Sequence, residues 1–235
     1  STSSHRLIGP EHKSMKISFL HTAQVHVETF NAIVKSLAPD TYCIHHVAPE
    51  LLARAQTNGL PDVADETADI LAKLAQADAV FCTSSTLGPL VDAFAVTHLN
   101  VIRIDRPMMD AACASGHDVL VAICIESTRN TTLTMLDDCA NQAGKAITPR
   151  LVLCDNAWPF FQAGNTAAFA SEVSKTIRAE IAGSGLPDSI ILAQASMRVA
   201  ADQLQDLGIP ILSSPLLATQ RLLAVAGTSS ERSRN

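Results

Sequence analysis
One pattern occurs twice in the 235 residues, and it restricts the fold more than any single motif does. Each half runs strand, helix, strand, helix, strand, polar loop, helix, strand. In the first half Lys16 to Leu20 reads as a strand ending at the polar pair His21-Thr22. Val27 to Leu37 follows as a helix, with Phe30, Ile33, Val34 and Leu37 on one face. Tyr42 to Val47 is a strand, Pro49 to Ala55 a short helix, and Asp65 to Ala75 a longer one. Ala79-Val80-Phe81 is a third strand that stops at Cys82 and gives way to Thr83, Ser84, Ser85 and Thr86. A helix opens at Gly88-Pro89, where the N–H that proline lacks had no intrahelical partner, and Asn100 to Ile104 is the last strand.

The pattern restarts at Asp118. Val119 to Ile123 is a strand ending near Ser127-Thr128, Thr131 to Ala143 a helix, and Pro149 to Leu153 a strand. Trp158 to Phe161 reads as a compact apolar turn and Ala167 to Ile181 as a helix. Ser189 to Ala193 is a strand ending at Gln194-Ala195-Ser196, followed by a helix from Met197 to Leu207, a strand at Ile209 to Leu212 and a final helix to Ala226. FCTSSTLGPLVDAFAVTHLNVIRI lies over LAQASMRVAADQLQDLGIPILS with a short gap in the loop.

Strands alternating with helices imply parallel sheets, and right-handed crossovers then gather the polar loops at one end. The expected fold is α/β: two pseudo-twofold-related three-layer halves with mainly parallel sheets and one site in the cleft between them. The expected division is residues 15–115 together with 213–235 for the first half and 116–212 for the second. Residues 1–14 read as a disordered leader or expression remnant.

Composition narrows the partners. A net charge of −6 and the lack of a Lys/Arg-rich stripe argue against nucleic acid. No apolar run reaches the ~18 residues of a membrane span and no signal peptide opens the chain, so a cytoplasmic protein is expected. Cys43, Cys82, Cys113, Cys124, Cys139 and Cys154 are scattered without a CxxC pair, which speaks against a zinc or thioredoxin motif. No Gly-rich phosphate loop is present. His45 and His46 point to opposite strand faces and no matching carboxylate cluster accompanies them, so no metal is expected.

With these residues in view, the chain resembles the aspartate/glutamate racemase superfamily, which includes hydantoin racemases, maleate isomerases and arylmalonate decarboxylases. Phe81-Cys82-Thr83-Ser84 is similar to the first motif of those enzymes, and Leu192 to Met197 occupies the place of the second, with Gln194 where a cysteine would stand. The resemblance implies two duplicated α/β halves, a catalytic Cys82 and no cofactor. Two-thiol racemisation is not available to a single cysteine, so one-sided protonation, as in decarboxylation or isomerisation, is the implied chemistry. The decarboxylases keep the second cysteine and the isomerases keep both, so this chain is the mirror case.

The chemistry of the residues agrees with a small carboxylate-bearing substrate. Proton transfer at a carbon next to a carboxylate builds an enediolate, which needs fixed donors aimed at its oxygens. His21, Thr22, Thr83, Ser84, Ser127, Thr128, Gln194, Ala195 and Ser196 are the candidate binding residues, with Cys82 as acid/base or nucleophile. Plainer roles compete: Cys82 as a buried structural thiol, Thr83 to Thr86 as helix caps, Gln194 as a partner for backbone groups, and Glu126 as an exposed loop acid. A non-catalytic carboxylate-binding protein is the alternative reading, and a hydrolase built on Cys82 ranks behind both. The alanine-rich helices after Cys82 and Gln194 could pack against a second subunit.

Overall fold
The computed structural model describes the backbone of residues 14–232 and the side chains of residues 14–227. All but the last residue of the expected leader lies outside that range. Among the described residues eight strands form two four-stranded parallel sheets. The first has the order β2-β1-β3-β4, from β1 (Lys16–His21), β2 (Tyr42–Val47), β3 (Ala79–Cys82) and β4 (Val101–Arg103). The second repeats it as β6-β5-β7-β8, from β5 (Asp118–Ile123), β6 (Thr148–Leu153), β7 (Ser189–Leu192) and β8 (Ile211–Ser213). The central strands β1, β3, β5 and β7 are nearly continuous apolar runs because helices cover both of their faces.

Helices α1 (Val25–Leu37), α2 (Pro49–Asn58), α3 (Ala64–Leu74) and α4 (Gly88–Ala95) serve the first sheet. One face packs Leu20, Val80, Cys82 and Val101 against Leu51 of α2, Leu71 of α3 and Leu87 and Val91 at the start of α4. The other packs Ile17, Phe19 and Phe81 against Phe30 and Val34 of α1. That second layer is completed by Ala218, Leu222 and Ala226 from the last helix of the chain.

The second half follows the same plan with α5 (Arg106–Ser115), α6 (Arg129–Ala143), α7 (Trp158–Gln162), α8 (Thr166–Ser184) and α9 (Ser214–Arg232). Trp158 to Gln162, expected as a turn, is a short helix. The segment Ala195–Leu207 is a 3₁₀ helix, tighter than the α-helix its spacing suggests. Helix α5 lies on the second sheet, where Met108, Met109, Ala112 and Cys113 meet Val119, Val121, Ile123 and Ile191. Helix α9 lies on the first. Each half therefore sends its final helix across to the other, and the boundary read at residues 115 and 116 falls after a helix that already packs with the second sheet.

The start of α4 is fixed by a buried ion pair. Arg103 holds Asp105 through Nε–Oδ1 at 2.7 Å and Nη2–Oδ2 at 3.1 Å, and donates from Nη1 to Asp92 Oδ2 at 2.6 Å. Its guanidinium lies against Gly88, where an added Cβ would stand 2.5 Å from Cζ. Because three hydrogen bonds pin that guanidinium, it cannot swing aside cheaply. Gly88→Ala is therefore expected to lower the unfolding free energy by about 1–3 kcal/mol, as overpacking does. Urea unfolding measures this; an unchanged midpoint would show that Arg103 moves away freely.

Candidate functional site
The polar loops that follow β1, β3, β5 and β7 meet at two adjoining cavities of about 360 and 500 Å³, room for a small ligand. Both are lined by Gln56, Ser85, Thr86, Asp105, Ile125, Thr128, Ala193 and Gln194. Thr22, Thr83, Ser84, Ala195 and Ser196 line the first, and Ser127 the second. The structure thus brings Thr22, Thr83, Ser84, Ser127, Thr128, Gln194, Ala195 and Ser196 around one space, with His21 and Cys82 behind it.

His21 is fully buried, donating or accepting at Thr83 Oγ1 (2.7 Å) and at His45 Nδ1 (2.7 Å). Cys82 is fully buried too, its side chain in the layer between the first sheet and helices α2 to α4. Its thiol lies 3.8 Å from Ser84 O and lines neither cavity. Burial pushes that thiol up to about 12, and Asp105 adds to it, against the smaller opposing pulls of the Ser84 backbone and of Arg103. It holds its proton throughout the neutral range.

Hydrogen bonds at equivalent places align the two halves residue by residue. Lys16 N–H donates to Asp78 Oδ2 at 2.8 Å as Asp118 N–H donates to Asp188 Oδ2 at 2.9 Å. Thr83 N–H donates to Leu20 O as Ala193 N–H donates to Ala122 O, both at 3.0 Å. Asp78 thus corresponds to Asp188, Cys82 to Leu192, and Ser84 to Gln194. The reading of the sequence set Gln194 against Cys82, two residues away. A shift of two keeps every side chain on its own face of the strand, so an apolar pattern cannot detect it.

Ser84 and Gln194 are both cleft residues. The Gln194 carbonyl Oε1 accepts the backbone N–H of Cys124 at 2.7 Å, which fixes the amide: the group facing it can only donate. Gln194 Nε2 has no partner among the described residues and is left for the cleft. Across from it, the backbone N–H groups of Ser84, Ser85 and Thr86 also lack a partner among the described residues. They precede the N-terminus of α4, whose dipole favours negative charge there. No Lys or Arg lines either cavity, so an anion would be met by neutral donors.

Several lining residues were missed from the sequence. Asp105 is buried and fully paired to Arg103; its only signal was its place at a strand's end before Arg106-Pro107. Trp158 and Phe161, stacked at 4.8 Å, form an apolar wall. His26 lines the first cavity, its pKa lowered by burial. Among the described residues no three His, Cys, Asp or Glu side chains are grouped to hold a metal, and no helix is long and apolar enough to cross a membrane.

No family model matches the chain, and no curated protein does. Solved structures do. An aspartate racemase from Picrophilus torridus shares 13% identity over 91% of this chain and 95% of its own, with a TM-score of 0.64. An allantoin racemase from Klebsiella pneumoniae shares 16% over 92% and 89%, with 0.63, and an unliganded arylmalonate decarboxylase 14% over 91% and 94%, with 0.57. The chain has the two-lobed α/β fold of the racemase and decarboxylase structures along nearly its whole length. At these identities the likeness is one of fold.

His21 makes the stability of the fold depend on pH. Burial first, then the neighbouring His45 and His26, lowers its pKa from 6.5 to about 3. Between pH 6.5 and about 3 the unfolded chain binds a proton at His21 that the folded chain refuses. Stability is therefore complete above this window and falls as the pH drops through it. Urea midpoints measured from pH 7 to pH 4 should decline for the wild type and decline less steeply for His21→Asn; parallel slopes would remove His21 from the account.

Proposed function
We propose that the cleft takes a small carboxylic acid and that the protein acts on the carbon next to that carboxylate, as an enzyme of racemase, isomerase or decarboxylase type without a resident cofactor. One observation carries the reading. Donors from equivalent loops of the two halves, the N–H groups of Ser84 to Thr86 and Gln194 Nε2, belong to residues that line one small cavity and have no partners among the described residues. Such donors suit a carboxylate in the ground state and an enediolate in the transition state, where each can be worth ~3 kcal/mol. The hydroxyls of Ser84, Ser127, Thr128 and Ser196 stand beside them. The aspartate and allantoin racemases and the arylmalonate decarboxylase that share the fold support the same class of reaction.

In this reading the thiol of Cys82 is a neutral acid. Burial keeps its proton on, so it can return a proton to a carbanion once the Thr83–Ser84 segment uncovers it, and it does not abstract one. That favours one-sided protonation over two-base racemisation. The position of Cys82 outside both cavities favours a second reading, a carboxylate-binding protein without turnover.

A calorimetric and crystallographic screen of small mono- and dicarboxylates, amino acids and hydantoins separates them. Gln194→Ala is expected to weaken binding of the best ligand about tenfold, the loss of one hydrogen bond to a charged group. Cys82→Ala is expected to bind that ligand and to lose decarboxylation, read as CO2 released and as solvent deuterium incorporated at the α-carbon of the product. Binding with no such chemistry in the wild type would establish the second reading, and a ligand carboxylate seated away from both loops would overturn both.

A further inference from the structure
Behind Thr83 runs a chain of side chains that the chemistry above leaves unused. Thr83 Oγ1 lies 2.7 Å from His21 Nδ1, His21 Nε2 lies 2.7 Å from His45 Nδ1, and His45 Nε2 lies 2.8 Å from Asn31 Oδ1. The chain passes from the cleft wall through buried His21 and half-buried His45 to exposed Asn31 on α1. Phe19 lies against both imidazoles, at 5.5 Å and 8° from His21 and 4.8 Å and 10° from His45, which holds the rings in register.

Each link has one proton to place, and the choices are not independent. An amide oxygen only accepts, so His45 Nε2 carries its hydrogen. A neutral imidazole has one N–H, so His45 Nδ1 accepts and His21 Nε2 must donate to it. His21 Nδ1 is then bare, and the Thr83 hydroxyl donates to it. Burial, which holds both imidazoles neutral, agrees with one proton per ring. Leu20 O also lies within 3.4 Å of the hydroxyl, but it is the longer contact and already takes the Thr83 N–H at 3.0 Å.

We propose that Asn31, His45 and His21 are positioning residues that fix the polarity of the Thr83 hydroxyl, so that Thr83 meets the ligand as an acceptor and pairs with an N–H or O–H group of it. The cleft then has two characters. Gln194 Nε2 and the N–H groups of Ser84 to Thr86 donate, whereas Thr83 accepts. A ligand with an acid at one end and a hydrogen-bond donor at the other satisfies both. This ligand-facing part rests on the carboxylate reading above; the relay itself does not.

Long-range ¹H–¹⁵N spectra of the full chain labelled at histidine test the relay directly. His21 and His45 are expected as Nε2–H tautomers, with the His21 Nδ1 signal moving toward that of an unbonded acceptor in Thr83→Val and staying in place in Thr83→Ser. An Nδ1–H tautomer at His21 would reverse the relay and overturn the proposal. Malonate and malonamate, which replaces one carboxylate by an amide with N–H donors, test the ligand side by calorimetry. Wild type and Thr83→Ser should prefer malonamate about tenfold, one hydrogen bond's worth, and Thr83→Val should lose the preference. Equal affinities in the wild type would overturn the acceptor role of Thr83. Should neither probe bind, the carboxylate reading fails while the tautomers still decide the relay.

Discussion
The exchange of final helices between the halves is the contact on which the rest depends. Without α9, the face of the first sheet that carries Ile17, Phe19 and Phe81 loses Ala218, Leu222 and Ala226. Without α5, the second sheet loses Met108, Met109, Ala112 and Cys113. Removing apolar area from water at about 25 cal/mol per Å² is the main force available to a chain with few aromatics, and neither half completes it alone. Crossing helices also set the distance between the strand ends, so the two polar loops meet at a fixed separation.

Charge is managed with the same economy. The cleft contains a buried carboxylate, Asp105, yet Arg103 neutralises it with paired hydrogen bonds and ties it to Asp92 and to the first turn of α4. Breaking one member of such a group would leave an uncompensated buried charge, a larger loss than the pair is worth intact. The guanidinium is spent inside the protein and takes no part in lining the cleft, which leaves anion recognition to backbone and amide donors.

The duplication, the parallel sheets and most of the cleft residues were legible because strand and helix periodicities differ and the loops are polar. Thr22, Thr83, Ser84, Ser127, Thr128, Gln194 and Ser196 sit where the topology puts strand ends. What could not be read concerns single-residue register and tertiary pairing. Ser84, not Cys82, is the partner of Gln194, a two-residue offset that alternation hides. The relay through His21 and His45 needs two neighbouring strands paired so that Phe19 sits opposite His45, information that no local spacing contains. The crossing of the last helix was legible, since residues 213–235 were assigned to the first half, but that of α5 was not, because α5 follows the first half in sequence and joins the second in space.

Gln194 has a consequence for what this position can become. Its carbonyl satisfies the N–H of Cys124, a residue that is 2% exposed. A shorter side chain such as a thiol would leave that N–H bare, at a cost of about 1–3 kcal/mol. Placing a cysteine at position 194 is therefore not a neutral step: a second change at the end of β5 must come with it. The amide is a tie beam: it joins the end of β5 to the loop after β7, and its Nε2 keeps its aim only while that span is intact.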